Sequence, residues 1–261
     1  MSDKAAPQNE STPLAAPALI NEAQRLSALH ACDVLDSGPS AVSDALVRLA
    51  ARTFHVPAAS IGLMDADRLW FKASIGMSDS EQARDRSLCA HAMAQSEAVL
   101  VVEDLSQDSR FAQHPLVTQP PHWRFYASAP LRNAQGLVLG TLAIWDTQAR
   151  PFTAIDRLSL KDLALLASDQ LNARQTIVQL HHLAMTDPLT GLANRTQFHQ
   201  ALEVEMAHAM RTGEPFTVLS MDLDGFKDVN DGFGHAAGEE VLCEVARRLN
   251  QQVRMGDVLS R

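Results

Sequence analysis

Met221–Gly238, MDLDGFKDVNDGFGHAAG, decides how the second half of this chain is read. The apolar run Phe216-Thr-Val-Leu-Ser-Met221 leads into it and predicts a buried strand. Asp222 and Asp224 stand where that strand ends. A glycine-rich turn bearing amide side chains follows, and then the helical pattern Val241, Leu242, Val245, Leu249. Carboxylates at a strand end, with a lysine and glycines nearby, suit a site for a cation and a phosphate. Hard Mg²⁺ takes oxygen ligands and shares them with substrate phosphates. Lys227 meets phosphate as a point charge. Glycines admit positive φ and close backbone approach to a ligand. An EF-hand loop starting at Asp222 fails, because Phe226 takes its third ligand position. Lys227 stands where that loop needs glycine, and Phe233 where it needs a bidentate glutamate.

The whole string resembles the core of the GGDEF family of diguanylate cyclases. The carrying residues are Asp222, Asp224, Phe226-Lys227, Asn230-Asp231, Gly234-His235 and Gly238. Upstream, Asp187-Pro-Leu-Thr-Gly-Leu-Ala-Asn-Arg195 is similar to the opening string of that family, in the right order and at the expected separation.

At 261 residues the chain has room for two modest domains, and 46% hydrophobic residues suffice for real cores. A net charge of −9 argues against a nucleic-acid-binding protein or one that sits on an anionic membrane. Cys32, Cys89 and Cys243 are scattered, which suits a reducing cytoplasm and offers no disulfide or metal framework. No apolar run approaches the roughly 18 residues of a membrane span, and the N-terminus lacks a secretory signal pattern.

In chain order, residues 1–20 are rich in Ala, Pro and polar residues and are expected to be a disordered tail. Asn21–Cys32 and Ser40–His55 read as helices, the second with Leu46, Leu49, Ala50 and Phe54 on one face. Strands are predicted over Ala59–Met64, Leu69–Ala73, Ala98–Val102, Trp123–Leu131 and Val138–Trp145, with a short helix over Ser87–Gln95. Helices flanking antiparallel strands define an α+β domain over 21–155.

This region is also similar to the GAF domains of signalling proteins. The resemblance rests on Asp65-Ala-Asp-Arg-Leu-Trp-Phe-Lys72, Ser87-Leu-Cys-Ala-His91, Asp108-Ser-Arg-Phe111, Arg124-Phe-Tyr-Ala-Ser-Ala-Pro-Leu131 and Gly140-Thr-Leu-Ala-Ile-Trp-Asp146. It implies a central antiparallel sheet with helices on one side, and small-ligand binding, dimerisation or both. The ligand is unknown. Cys89 with His91 resembles tetrapyrrole attachment sites, against the plainer role of a small buried residue. Trp70, Phe71, Trp123, Phe125 and Tyr126 line a pocket or pack the core.

Residues 156–185 form a helical connector. Leu163, Leu166, Ala173, Ile177, Leu180 and Ala184 recur in heptad-like steps, with Gln170 at one seam position. The stripe packs back on the first domain or pairs with a second copy; the coil is expected for its second half, with Gln170 fixing register. Thr186 or Asp187 is expected to cap the next helix, with Pro188 in its first turn. Asn194–Arg211 follows as a helix carrying Phe198, Leu202 and Met206 on one face.

The GGDEF resemblance implies that 186–261 is part of an α/β cyclase-like domain with a ferredoxin-like palm. It implies condensation of two GTP to cyclic di-GMP across a pair of domains, with Mg²⁺ or Mn²⁺ as cofactor. Asp222 and the carbonyl of Leu223 would bind metal, and Phe226 and Lys227 would face the phosphates. Asn230 would bond guanine, together with Glu239, which stands where the family usually has Asp. His235 would shape the loop, and Arg254 with Asp257 fits the R-x-x-D product-inhibition motif. The family's Gly-Gly-Asp/Glu-Glu-Phe hairpin, with its second metal carboxylate, would follow Arg261. The expectation is therefore a GAF-regulated diguanylate cyclase present as a C-terminally truncated, inactive chain. It would be cytoplasmic and homodimeric through the GAF domain and linker. The alternative is a non-catalytic GAF sensory or dimerisation module with a degenerate cyclase remnant.

Overall fold

The computed structural model describes residues 21–94, 99–254 and 256–261. The expected tail over 1–20 lies outside them, as do Gln95, Ala98 and Met255. The chain divides into two compact units between Thr176 and Ile177.

Unit 1 is built on six antiparallel strands: β1 (Ala58–Met64), β2 (Arg68–Ile75), β3 (Glu81–Ala83), β4 (Leu100–Val102), β5 (Phe125–Arg132) and β6 (Val138–Asp146). Their spatial order is β3-β2-β1-β6-β5-β4. β1 is central and buried throughout, which is why its sequence is continuously apolar or small instead of alternating. β5 and β6 are joined through the expected turn, where the side chain of Asn133 accepts the amides of Gln135 and Leu137. Gly140 on β6 lies so close to β1 that an added Cβ would meet the Gly62 carbonyl oxygen at 2.0 Å. Only glycine lets the two strands close there.

Alternation gives the sheet two unlike faces. One carries Ile61, Leu63, Phe125, Leu131, Leu142 and Ile144 and packs under three helices. These are α1 (Glu22–His30), α2 (Ala41–Phe54) and the first part of α5 (Ala154–Met185). α2 starts where sequence places it, with Ser40 Oγ accepting the Ser43 amide, and ends at His55 in the left-handed conformation. The opposite face carries Met64, Leu69, Tyr126 and Trp145 under α3 (Leu88–Ala94) and the loop containing α4 (Pro115–Thr118). Helices thus cover both faces, the longer ones on one side.

Two expectations for this unit are corrected, the place of Leu49 and that of Gln170. Leu49 is half-exposed, while Leu46, Ala50 and Phe54 are buried as expected. Trp70 and Phe125 belong to one core and Phe71, Trp123 and Tyr126 to the other, so the five aromatics do not line one pocket. Neighbouring positions on a strand point oppositely, and that alone separates Trp70 from Phe71 and Phe125 from Tyr126. On α5, Leu163 is buried beside Leu160, Ala164, Ala167 and Leu171. Gln170 donates to Ser40 Oγ at 3.0 Å and accepts from Ser43 Oγ at 3.2 Å. Leu163 thus packs back on the first domain, while Gln170 is tied to unit 1 and does not sit in an outward seam.

Unit 2 contains the end of α5 and three further helices: α6 (Arg195–Thr212), α7 (Phe226–Phe233) and α8 (His235–Asn250). The expected strand over Phe216–Met221 is absent among the described residues; that segment is extended coil and largely exposed. A strand is held by its neighbours, and no described segment pairs with it. Neither Thr186 nor Asp187 caps a helix. Asp187 Oδ1 instead accepts the Thr190 amide at 2.9 Å and the Thr190 hydroxyl at 2.7 Å, closing a turn. Asn194 is the actual cap of α6, its Oδ1 accepting the Gln197 amide at 3.1 Å.

Candidate functional site

The candidate site is the segment from Asp222 to Glu239. Gly225, at φ 73°, turns the chain into α7, and Gly234, at φ 87°, turns it from α7 into α8. The stretch expected as a glycine-rich turn is thus two helices hinged at one glycine, with Gly232 inside the first. Asp222 is exposed and its Oδ1 accepts the Leu223 amide at 2.9 Å. The Leu223 carbonyl accepts the Phe226 amide at 3.3 Å, which leaves its second lone pair open. The Val229 amide donates to the Gly225 carbonyl at 3.3 Å, and the Lys227 and Asp228 amides ahead of it are of the kind that suits an anion.

Asn230 and Gly238 meet where α7 crosses α8. A Cβ on Gly238 would lie 2.1 Å from Asn230 Oδ1 and 3.3 Å from Phe226 Cζ. Gly238 is therefore what lets Phe226 and Asn230 sit against α8. Lys227, His235 and Glu239 are exposed. Arg254 and Asp257 form a local turn in which Asp257 Oδ2 accepts the Arg254 amide at 3.0 Å. That contact engages the Arg254 backbone and leaves its guanidinium outside the pair.

A divalent cation fits these residues only partly. The Asp222 carboxylate and the Leu223 carbonyl are hard oxygen donors of the type Mg²⁺ accepts. Among the described residues, no group of three His, Cys, Asp or Glu side chains converges on one point. The remaining ligands would have to be water and phosphate oxygens, as is usual for Mg²⁺.

Residues not singled out from sequence hold this region together. Arg261 Nη1 donates to both Asp187 oxygens, and Ala193 bridges to Ser260 in parallel. Cys243 Sγ donates to the Leu189 carbonyl at 3.2 Å, tying α8 to the turn after Asp187. The signal for the turn was present as Asp and Thr three residues apart, and that for the α6 cap as Asn before a helical pattern.

In unit 1, Cys89 is buried on α3 and accepts the Tyr126 hydroxyl at 3.3 Å. Burial pushes the Cys89 thiol up, and burial together with that thiol pushes Tyr126 well above its ordinary value. Such a thiol is protonated and unreactive. Ser60, Ser128, Thr141 and the Trp145 indole are buried on the same sheet face, with Ser128 and Thr141 beside the Tyr126 hydroxyl and Thr141 beside the Cys89 thiol. His91 packs edge-on to Phe111 with ring centroids 5.0 Å apart.

Unit 1 is an antiparallel sheet between two unlike cores, and unit 2 holds a glycine-hinged helix pair that follows Asp222-Leu-Asp224. The chain belongs to the GAF domain family, whose sequence model matches residues 38–171, just over half of it. The family described as diguanylate cyclase, GGDEF domain, matches residues 184–261. The chain is 33% identical over 239 residues to the cyclic di-GMP phosphodiesterase PA2567 of Pseudomonas aeruginosa, covering 89% of this chain and 38% of that protein. It is 33% identical over 132 residues to the diguanylate cyclase DgcM of Escherichia coli, covering 51% of this chain and 32% of that one. With the diguanylate cyclase DgcP of Pseudomonas aeruginosa it shares 44% identity over 78 residues, 30% of this chain and 12% of that protein. The chain thus spans well under half of each of these relatives. Among solved structures, a GAF domain from an Acinetobacter phosphoenolpyruvate-protein phosphotransferase superposes with a TM-score of 0.41 at 18% identity, over 60% of this chain and 96% of that one. The free methionine-R-sulfoxide reductase of Neisseria meningitidis gives 0.43 at 19% identity, over 65% of this chain and 99% of that one. Among the described residues no helix is long and apolar enough to cross a membrane.

Proposed function

We propose that this chain is the sensor half and part of the output half of a cytoplasmic cyclic di-GMP signalling protein, and that unit 2 is built to hold GTP. The observation that supports this reading is the close approach of Asn230 on α7 to Gly238 on α8. In the diguanylate cyclase reaction the 3′-oxygen of one GTP forms a bond to the α-phosphorus of a second. The bond to pyrophosphate breaks, and the hydroxyl proton is lost; two such steps give cyclic di-GMP and two pyrophosphates. Asp222 and the Leu223 carbonyl would hold Mg²⁺ or Mn²⁺, which supplies charge stabilisation at the phosphates. Lys227 and the α7 amides would meet the phosphate oxygens. Asn230 and Glu239 would bond the guanine edge, and His235 would shape the turn between the helices. Arg254 and Asp257 would bind cyclic di-GMP as inhibiting product. Two copies would meet through the GAF unit and α5, since each domain brings one GTP.

These residues supply a single clear metal carboxylate, and no strand braces Asp222. The 261-residue chain therefore binds GTP without turning it over. Calorimetry with GTP and Mg²⁺, together with a chromatographic assay for cyclic di-GMP, tests this. The expected result is binding that Asn230→Ala abolishes, and no product. Absence of binding would sink the nucleotide reading. Product lost in Asp222→Ala would sink the inactivity.

A second reading is favoured by one observation. A relative that matches 89% of the chain carries the name of a phosphodiesterase, while the cyclases DgcM and DgcP match 51% and 30% of it. Unit 2 would then be a regulatory, non-catalytic module. It would keep GTP binding and give no product however the chain is extended.

A further inference from the structure

The loop between α1 and α2, residues 31–40, is held by side chains from two other elements. Val34 anchors it in the core, while Asp33 and Asp36 are left-handed at φ 47° and 54°. Aspartate reaches that region only at some cost, so the bend depends on the contacts around it. From one side β2 supplies Arg68 and Lys72, which flank Trp70 on the same face of the strand. Lys72 Nζ donates to Ser37 Oγ at 2.8 Å and to the Gly38 carbonyl at 2.6 Å, and stands 5.7 Å from the Trp70 ring centroid. Arg68 Nη2 donates to Asp36 Oδ2 at 2.6 Å, and its Nη1 to Glu81 at 2.6 Å. From the other side α5 supplies Gln170 and Arg174, four residues apart on one helix face. Gln170 holds Ser40 at the end of the loop. Arg174 Nε donates to the carbonyls of Cys32 and Asp33, each at 3.1 Å, and its Nη2 also donates to the Asp33 carbonyl.

The place of Arg174 along α5 gives these contacts their meaning. The buried stripe of the helix ends at Leu171. Among the described residues, Arg174 is the last side chain of α5 that hydrogen-bonds another part of unit 1, and unit 1 ends at Thr176. Its acceptors are backbone carbonyls, which point the right way only while the loop keeps its bend. Lys72 likewise grips a hydroxyl and a carbonyl of the bent loop. Burial pulls the Lys72 ammonium down, and the charge of Arg174 adds to this, with Asp44 opposing. The two cations thus repel each other, and the seated loop is what keeps both in place.

We propose that the α1–α2 loop is a clasp that opens and closes as one unit, and that through it β2 sets how much of α5 stays docked. Closed, the clasp holds α5 to unit 1 as far as Arg174. Open, firm docking ends with the buried stripe at Leu171, and the turn 173–176 is left with its own backbone hydrogen bonds. A helical turn without tertiary support is marginal in water. Among the described residues neither Arg68 nor Lys72 hydrogen-bonds α5, so a shift of β2 reaches Arg174 through the loop carbonyls. The clasp lies wholly within unit 1 and depends neither on GTP nor on a second copy of the chain.

The test is hydrogen exchange of the full 261-residue chain, read by mass spectrometry over the loop, over 173–176, and over 160–167 as the internal reference. Lys72→Gln should raise exchange about tenfold in the loop and by the same factor in 173–176, which lies on another element, because one cooperative opening exposes both. Arg174→Gln should do the same. Cys32, buried at the start of the loop, gives a second readout: an aromatic disulfide should label it faster by the same factor in both variants. Residues 160–167 should exchange as in the unchanged chain, which shows that unit 1 stays folded. Ser37→Ala removes one acceptor of Lys72 and should raise both stretches about threefold; this lighter change decides the matter if a cation variant unfolds. Faster exchange in the loop alone with Lys72→Gln, faster exchange in 173–176 alone with Arg174→Gln, or no change in either stretch would overturn the inference.

Discussion

Arg261 Nη1 lies 2.9 and 3.0 Å from the two carboxylate oxygens of Asp187, joining residues 74 positions apart. The contact ties the turn that follows α5 to the segment that bridges Ala193, where the Arg261 amide also donates to the Ala193 carbonyl. Partial burial raises the Asp187 pKa, but hydrogen bonds from Thr190 and Arg261 outweigh it and leave the group below its usual value. A depressed carboxylate contributes stability above the unfolded value of about 3.9, and loses it as pH falls through the folded value. Asp187→Asn should destabilise unit 2 by about 1 kcal/mol at neutral pH. The difference from wild type should vanish on acidification, and denaturant melts across that window check it.

Glu22 anchors α1 in the same way. Arg25 donates to it at 2.8 Å from both Nε and Nη2, and Arg84 Nη1 does so at 2.6 Å. The Arg25 hydrogen bond is the main cause of a pKa lowered from 4.5 to about 2, with burial opposing it. The stabilisation is complete above the unfolded value and disappears as pH falls toward about 2. Glu22→Gln should cost unit 1 about 1–2 kcal/mol at pH ~7, after allowing for solvent screening. Equal stability of the two proteins at neutral pH would show that the cluster contributes nothing.

Gly140 offers a steric test of the β1–β6 pairing. A methyl there would meet backbone, the Gly62 oxygen at 2.0 Å and Leu63 Cα at 2.9 Å, so no rotamer change relieves it. Gly140→Ala should lower unit 1 stability by upwards of ~2 kcal/mol. Thermal melts of the two proteins decide this, and a shift within error would mean the strands can part.

The three cysteines should differ in reactivity. Cys32 and Cys89 are buried, and burial pushes both thiols up. Cys243 is partly exposed. Titration of the native chain with an aromatic disulfide should modify Cys243 alone, and all three after denaturation. Rapid native labelling of Cys89 would mean that α3 opens readily.

Gly238→Ala should disturb the candidate nucleotide site without touching a nucleotide. The new methyl would displace the Asn230 amide, which lies 2.1 Å from the Cβ position. GTP affinity should fall about tenfold, a loss of ~1.4 kcal/mol, with α8 intact by circular dichroism. Undiminished affinity would remove Asn230 from the guanine contact.

Much of unit 1 was legible because its signals are local. The amphipathic run from Ser40 gave α2, and the apolar stretch Ala59–Met64 gave the central strand to within one residue. β3 was missed because three mostly exposed residues, Glu81–Ala83, carry no apolar period. Phe216–Met221 failed for the opposite reason. Its apolar run is strong, but a strand also needs a partner, and a one-dimensional pattern does not supply one. Gln170 was misplaced because two stripes share α5, one facing the core and one facing out, and a heptad fits either when shifted by a residue. In the candidate site the residue types were readable, and the placement of Phe226 and Asn230 against Gly238 was not. That placement depends on the left-handed turn at Gly234, a backbone fact.

The two cores of unit 1 have a mechanical consequence. α5 packs on one side of the sheet and α3, with Cys89, on the other, and strand side chains alternate between them. Among the described residues the buried apolar side chains divide between the two. The sheet is a diaphragm one backbone thick, and a molecule that swelled the α3 compartment would reach α5 only by bowing it. Small residues in register across its middle, Ser60, Ala143 and Ser128, put the least bulk at the point where such a membrane would flex most.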